Sequence, residues 1–212
     1  MSENTKDLIL HEALTLFAQK GYTETSVRDI SDAAGVNVAS INYHFGSKHD
    51  LFQAVIVENM TLLDQVLLEA LGDKDLCLAD AIWIFYTCLL GNQNAFLSIF
   101  RLFLSGSVNF PDSPISVGKV IGPPGANHLL RVLEREVPGL CQEAYIWAVH
   151  ILSTHLFHVV LMQVSPFGQQ KLQNLYFCQE DYKKKSFEIF TYAVVAKLRD
   201  GSIDWTPLSP NI

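Results

Sequence analysis

The chain has 212 residues, of which 49% are hydrophobic, and a formal net charge of −7. This length and apolar fraction predict a globular protein, either one all-helical unit or a small domain fused to a larger one. The first residues, MSENTKD, carry no basic stretch followed by an apolar run, so they do not resemble a secretory signal and we expect a cytoplasmic protein.

The first predicted helix carries apolar residues at positions i, i+4, i+7 and i+8, namely Ile9, Ala13, Leu16 and Phe17. Gly21 follows this stripe. Because glycine readily adopts the left-handed conformation of a helix C-terminus, we expect the helix to end there.

Two short helices are predicted next. The pair Ser26 and Asp29 forms a capping-box pattern at the start of the second helix, which ends at Gly35, and Gly46 closes the third. Each has apolar residues at i, i+3 and i+7, which are Val27, Ile30 and Ala34 in the second and Val38, Ile41 and Phe45 in the third. Two short helices braced by a third make a helix-turn-helix arrangement, whose second short helix can enter the DNA major groove.

A long fourth helix begins at a second capping-box pattern, Ser47 and Asp50, and continues to Gly72. Its predicted buried stripe is Leu51, Val55, Leu62, Leu63, Val66 and Leu67. About 25 residues at 1.5 Å per residue give a helix roughly 37 Å long.

Five more helices are predicted at about 76–90, 93–104, 126–137, 140–164 and 179–199. The loop from 105 to 125 contains four prolines and is either a lid over a binding site or a disordered segment. We expect residues 201–212 to form a flexible tail. The fold class is therefore all-α, with about nine helices.

The segment Ala144–Val164 contains no formally charged residue over about the 20 positions that a membrane span requires. It nevertheless contains His150, His155 and His158, and it lacks flanking Lys/Arg anchors. We therefore interpret it as a buried core or interface helix and expect no membrane association.

Charge argues against a conventional DNA-binding surface. Residues 1–52 contain four basic and seven acidic residues, a balance of 4 − 7 = −3. A basic surface is the usual electrostatic mark of a DNA-binding protein. Any DNA recognition by this chain must therefore depend on local geometry.

The outward face of the third helix has the residue types that DNA recognition needs. Tyr43, Ala39 and Ser40 lie opposite the apolar stripe, Asn42 and His44 flank them, and Asn37 stands at the helix start. Ser and Asn can bind base edges, Ala can contact a thymine methyl, and a Tyr hydroxyl can donate to a phosphate. Lys48 lies in the first turn of the fourth helix, where it and the unpaired backbone N–H groups could hold one phosphate. Alternatively, these positions are ordinary solvated surface.

The run Ser26–Phe52, SVRDISDAAGVNVASINYHFGSKHDLF, resembles the signature of the TetR (tetracycline-repressor) family of transcriptional regulators, and the match extends over about Leu8–Val57. Ala39 stands where many relatives have glycine, and Ile41-Asn42 where leucine-tyrosine is common; these differences affect base preference. The resemblance implies a homodimer in which three helices bind DNA, the fourth connects, and the last two form a four-helix bundle with the partner. It implies DNA contacts from Ser26, Arg28, Asn37, Ala39, Ser40, Asn42, Tyr43, His44 and Lys48.

On this basis residues 1–50 form the DNA-binding domain and residues 51–200 a ligand-binding and dimerisation domain, with the helix at about 47–71 connecting them. The second domain is rich in aromatics at helical spacings, most of which are core residues; Phe96 and Phe157 are two of them. Arg101 is the only charge between Ala81 and Ser105, and it could pair with an anionic ligand or form a salt bridge at the rim. Candidate ligand-lining residues are Trp83, Tyr86, Phe100, Arg101, Phe103 and Trp147.

Other patterns indicate no further chemistry. His155 and His158, with His150 nearby, could share a metal, but polar groups in a dimer interface explain them equally well, and we expect no metal or cofactor. The lysines at 183–185 are interpreted as a solvated face. Without a CxxC pair we expect reduced, buried, apolar thiols at Cys77, Cys88, Cys141 and Cys178.

These observations favour a ligand-responsive repressor that binds a near-palindromic operator as a homodimer and is released by a small hydrophobic or amphipathic effector. One alternative is a helical small-molecule-binding protein or enzyme with a non-functional helix-turn-helix. We expect no enzyme, because the sequence has no glycine-rich phosphate loop and no nucleophile motif. Another alternative is a regulator that works only through protein contacts.

Overall fold

The computed structural model describes residues 2–72, 75–104, 123–172 and 179–203. These residues form nine α-helices and one short π-helix, Gly168–Leu172, and they contain no strand. The helices are α1 (Ser2–Glu24), α2 (Val27–Ala34), α3 (Val38–Phe45), α4 (Lys48–Leu71), α5 (Leu78–Gly91), α6 (Gln93–Leu104), α7 (Ala126–Glu136), α8 (Gln142–Val164) and α9 (Glu180–Arg199). The predicted all-α class is confirmed.

Helix boundaries follow the glycine signals. The backbone has positive φ at Gly21, Gly35, Gly46 and Gly72, where the four N-terminal helices were predicted to end. At Gly21 the helix is only interrupted, since helical structure resumes as far as Glu24. Thr25, which is fully buried, donates a hydrogen bond from its hydroxyl to the Gly21 carbonyl at 2.8 Å. This bond fixes the backbone at Gly21 relative to the residues that lead into α2.

The chain divides into two compact units. The head unit comprises Met1–Asp64 and Asn92–Lys119, and the C-terminal unit comprises Gln65–Gly91 and Val120–Ile212. The division falls within α4, and α6 belongs to the head unit. The domain boundary near residue 50 stays a prediction.

The head unit is built around one apolar core that includes Ile9, Phe17, Ile30, Ile41 and Phe52, each no more than 1% exposed. Leu102 of α6 joins this core, and α6 packs against α1. Residues far apart in sequence therefore brace the three helices that carry the predicted DNA-binding surface.

In the C-terminal unit α5 packs against α7, α8 and α9. The last residue of α7 is bonded to the start of α5, because the Glu136 carboxylate accepts a hydrogen bond from the backbone amide of Leu78, the first residue of α5. A carboxylate there satisfies one of the unpaired donors of a helix N-terminus and opposes its positive dipole. Arg199, the last residue of α9, donates to the Glu136 carbonyl at 3.1 Å.

Some predicted core positions are wrong. Val38 is 39% exposed and Leu62 is 48% exposed, whereas Phe52 and Ile56 are fully buried. In α4 the inward stripe runs through residues 51–52, 55–56, 63 and 67, and Leu62 lies about 100° away from Leu63 around the helix. An apolar residue beside a buried stripe does not itself have to be buried.

The prediction of buried cysteines is also wrong for the described residues. Cys77 and Cys141 are exposed and Cys88 is partly buried. Cys77 precedes α5 and Cys141 is the N-cap residue of α8, so both lie at helix ends where side chains reach solvent. Cys178 lies outside the described residues.

By length and composition, α4 and α8 could each cross a membrane. In α8, however, the residues spaced four apart from Ala144 to Val160 are buried within the C-terminal unit, as expected of a core helix. Residues 105–122 of the proline-containing loop and residues 204–212 of the predicted tail lie outside the described residues.

Candidate nucleic-acid interface

The start of α2 is held by a reciprocal capping box between Ser26 and Asp29, as predicted. The Asp29 amide donates to the Ser26 hydroxyl oxygen at 3.0 Å, and the Ser26 amide donates to the Asp29 carboxylate at 2.8 Å. The backbone and side-chain hydrogen bonds from Ser26 lower the pKa of the Asp29 carboxyl. Since the Ser26 hydroxyl also donates to this carboxylate, at 2.7 Å, only its acceptor capacity remains for DNA.

Helix α3 is capped by Asn37, whose side-chain oxygen accepts from the amide of Ser40 at 2.7 Å and from its hydroxyl at 3.0 Å. Asn37 thus fixes the first turn of α3, and its side-chain amide group keeps two donors. The two residues that follow it, Val38 and Ala39, are exposed. Three side chains at the start of α3 therefore face outward in a fixed arrangement.

The rest of α3 is anchored on one side and open on the other. Ile41 is 1% exposed within the head core, and Phe45 packs against that core. Tyr43 is 85% exposed, and the edge of its ring faces His44 at 5.2 Å between centroids. The Tyr43 hydroxyl can therefore reach a phosphate without any rearrangement of the head.

Lys48, the first residue of α4, is positioned by the end of α1. Its ammonium nitrogen lies 4.3 Å from the centroid of the Tyr22 ring and 3.5 Å from the Thr23 carbonyl oxygen. The Tyr22 ring in turn packs edge-on against Phe52 at 4.9 Å. A ring face and a carbonyl orient the cation without cancelling its charge, which remains available to a phosphate.

The second capping pattern is only partly realised. The Asp50 amide donates to the Ser47 hydroxyl oxygen at 3.1 Å, and that hydroxyl donates to the Asp50 carboxylate at 2.5 Å. The Ser47 amide, however, donates to the Phe45 carbonyl at 3.0 Å, because the turn after Gly46 brings that carbonyl close.

All nine predicted DNA-contacting residues lie in the head unit, on or next to α2, α3 and the first turn of α4. Six are exposed (Ser26, Arg28, Asn37, Ala39, Asn42 and Tyr43), and three are partly buried (Ser40, His44 and Lys48). Sequence reasoning missed Val38, which it placed in the core. The assignment of these residues to DNA stays a prediction.

The six candidate ligand-lining residues are divided between the two units. Trp83 and Tyr86 stack at 5.1 Å in the C-terminal unit, where Trp147 is partly buried. Phe100, which stacks on Phe96 at 6.1 Å, and the exposed Arg101 belong to α6 of the head unit. The side chain of Phe103 lies outside the described residues. Their role in ligand binding stays a prediction.

Sequence reasoning also missed two aromatic residues of α9, Phe187 and Phe190. Phe187 is 1% exposed and lies 5.2 Å from the Tyr86 ring, and Phe190 stacks on His155 at 4.1 Å. The spacing of the buried α9 residues 187, 191, 194, 195 and 198 was the available signal. The lysines at 183–185 are not all on a solvated face, since Lys183 is partly buried and its ammonium group lies 5.5 Å from the Tyr86 ring centroid.

Residues 9–55 match the family described as bacterial regulatory proteins, tetR family. Two relatives match a short part of the chain. "Probable HTH-type transcriptional regulator YttP" of Bacillus subtilis is 47% identical over 58 residues, covering 27% of this chain and 28% of that protein. The biofilm operon negative transcriptional regulator IcaR of Staphylococcus aureus (strain Newman) is 42% identical over 48 residues, covering 23% of this chain and 26% of that protein.

The match spans only about a quarter of the length of these curated relatives. A solved structure of a tetR family transcription regulator from Shewanella sp. PV-4 superposes with a TM-score of 0.65 at 16% identity, covering 89% of this chain and 96% of that chain. This likeness concerns the fold alone, and it extends over both units.

Proposed function

We propose that the chain is a member of the tetR family of bacterial regulatory proteins, whose model matches residues 9–55, and that it is a cytoplasmic, homodimeric transcriptional repressor that a small molecule releases from its operator. The observation that carries this proposal is the exposed face of α3. Tyr43, 85% exposed, stands on a helix whose opposite side is anchored by the buried Ile41 and whose first turn is capped by Asn37.

DNA would be held by a short list of contacts. Asn37, Ala39, Ser40 and Asn42 face the base edges in the major groove, and Tyr43 and Lys48 hold the flanking phosphates. The preset position of Lys48 beside Tyr22 supports this role, because little side-chain freedom is lost when the phosphate binds.

Dimerisation is supported by the outer face of α9. Tyr182 is 50% exposed, and Ile189 and Tyr192 are each 61% exposed; Ile146 of α8 is 47% exposed. A two-fold copy of α8 and α9 would bury these side chains in a four-helix bundle. The two heads would then bind half-sites of a near-palindrome about 34–36 Å apart.

Repression and its relief are proposed from two observations. A relative that is 42% identical over 48 residues is named a negative regulator, and the C-terminal unit carries a buried aromatic cluster suited to an apolar effector. An effector that favours a conformation with mismatched heads would weaken operator binding by a coupling free energy of about 1–3 kcal/mol.

The test is fluorescence anisotropy with labelled fragments of the DNA that flanks the protein's own gene, in competition with unrelated DNA. We expect one fragment to bind at least about a thousandfold more tightly than unrelated DNA. Equal affinity for all fragments would refute the proposal.

Three variants sharpen this test. Tyr43→Ala should weaken binding to that fragment and to unrelated DNA alike, because a phosphate contact carries no sequence information, and Tyr43→Phe should show how much of the effect depends on the hydroxyl. Gln19→Ala, an exposed position on α1, is the matched surface control and should bind as the wild type does. Because Tyr43 is so exposed, its variants should retain the wild-type melting temperature; a Tyr43→Ala protein that binds the fragment as tightly as the wild type would contradict the assignment of α3.

A further inference from the structure

Three buried polar atoms of the C-terminal unit have no hydrogen-bond partner within the described part of the chain. They are the hydroxyl oxygen of Tyr86, the Nε2 atom of His155 and the hydroxyl oxygen of Thr191. Tyr86 is 0% exposed and Thr191 is 1% exposed. They come from three different helices, α5, α8 and α9.

Two of the three residues pack against one aromatic side chain, Phe187 of α9. Its ring lies 5.2 Å from the Tyr86 ring and 5.4 Å from the His155 ring, centroid to centroid. Thr191 follows Phe187 by one helical turn on the same face of α9. We call Tyr86, His155, Phe187 and Thr191 the Phe187 cluster.

Unpaired polar groups are rare in protein interiors, because each loses its hydrogen bonds to water without replacement. The contrast with Tyr145 in the same unit is direct, since its hydroxyl donates to the Val137 carbonyl at 2.8 Å. Three such atoms, two of them on residues that pack against Phe187, indicate a partner that the described residues do not supply. The cluster therefore has the donors and acceptors of a ligand site.

The chemistry of the cluster restricts that ligand. Burial, and secondarily the nearby His158, lowers the pKa of His155, so its imidazole is neutral near pH 7. A phenol, a neutral imidazole and an alcohol can each donate or accept a hydrogen bond, which suits a hydroxyl group. The rings of Trp83, 6.2 Å from Phe187, and Phe190 add flat apolar walls that favour an aromatic ligand.

We propose that the Phe187 cluster is the effector site and that it binds an aromatic molecule carrying a hydroxyl group. This inference rests on the proposed function only for the word effector, because binding to the cluster is measured without DNA. Failure to find an operator would overturn the proposed function and leave the binding site intact.

The experiment is isothermal titration calorimetry of the full chain with 2-naphthol and with naphthalene, a matched pair that differs by one hydroxyl group. We expect 2-naphthol to bind at least about tenfold more tightly than naphthalene. Tyr86→Phe and Thr191→Val should each reduce that preference severalfold and leave naphthalene binding as in the wild type. Equal affinities for the two compounds, or variants that keep the full preference, would overturn the proposal.

Melting temperatures of the ligand-free variants provide the control for folding. Removing an unpaired hydroxyl should leave the melting temperature unchanged or raise it, whereas Tyr145→Phe, which deletes a paired hydroxyl, should lower it. A fall with Tyr86→Phe and Thr191→Val as large as with Tyr145→Phe would show that both hydroxyls have partners within the protein, and would also overturn the proposal.

Discussion

Gly125, the residue before α7, is placed where any side chain would collide with the core of the C-terminal unit. Its φ is +85°, and a Cβ atom added there would lie 2.5 Å from Cε2 of Phe85 and 3.1 Å from Cδ1 of Leu67. Phe85 is 1% exposed and Leu67 is fully buried, so neither side chain has open space beside it. Gly125→Ala should therefore be strongly destabilising.

The loss in the free energy of unfolding caused by Gly125→Ala can be separated into two parts with a matched control. Gly139 has the same φ of +85°, but a Cβ atom there would meet nothing within 4 Å. Gly139→Ala should thus cost only the backbone strain of a left-handed L-residue, about 1–2 kcal/mol. Gly125→Ala carries that strain and also about 1–3 kcal/mol of overpacking, for a total loss of about 2–5 kcal/mol in the free energy of unfolding.

Urea unfolding followed by tryptophan fluorescence measures the free energy of unfolding of both variants. All measurements use one protein concentration, because the proposed dimerisation couples to stability. The difference between the two free energies isolates the collision with Phe85 and Leu67. If Gly125→Ala were no less stable than Gly139→Ala, the packing of the segment before α7 against α5 would be wrong.

Four further outcomes are expected. On lowering the pH from about 5 to about 2, circular dichroism should show a greater loss of helix stability in the wild type than in Asp29→Asn. The pKa of the Asp29 carboxyl is lowered from its ordinary value of 3.8, so the ionised carboxylate stabilises the fold fully above that value. This stabilisation disappears as the pH falls through the folded-state pKa. In sedimentation velocity Ile189→Asp should be monomeric, whereas the wild type should be a dimer. Lys184→Asp, a substitution at an exposed residue of the same helix, is the control and should also be a dimer. A dimeric Ile189→Asp would refute the α9 interface. Residues 1–52 of each head contain four basic residues, so a dimer can neutralise at most about eight phosphates with them. A plot of the logarithm of operator affinity against the logarithm of salt concentration should therefore have a slope no steeper than about −7 per dimer. A markedly steeper slope would reveal ionic contacts from residues elsewhere in the chain. Operator thymines can be replaced one at a time by uracil, which removes one methyl group. If Val38 contacts a thymine methyl, the replacement at one position should weaken binding of the wild type and leave binding of Val38→Ala unaffected. Equal losses in both proteins would show that Val38 does not contact DNA there.

The helices of this fold were predictable because their signals are local. Capping residues such as Ser26 and Asp29 act within one turn, and glycines such as Gly35 end helices through their own backbone conformation. Apolar periodicity placed α5–α9 within about two residues of their observed ends. Local chemistry thus accounts for the order and extent of the elements.

The details that position the two candidate sites depend on tertiary contacts. Nothing in the α3 pattern distinguishes Val38 from Ile41, because exposure depends on where α2 and α4 end relative to α3. The contact of Lys48 with Tyr22 joins residues on different helices. The Phe187 cluster likewise needs α5, α8 and α9 together, and it involves polar atoms whose lack of partners no sequence pattern displays.

The acidic balance of the head is less of an obstacle to DNA than the composition suggests. Asp29 and Asp50 lie in the first turns of α2 and α4, where the positive ends of the helix dipoles offset part of their charge. The same arrangement changes how the start of α4 would hold a phosphate. The Asp50 amide already donates to Ser47, and the Asp50 carboxylate lies in that first turn, so this amide is not available to the anion. Phosphate binding at this point would therefore depend more heavily on Lys48, which is why its orientation by Tyr22 matters.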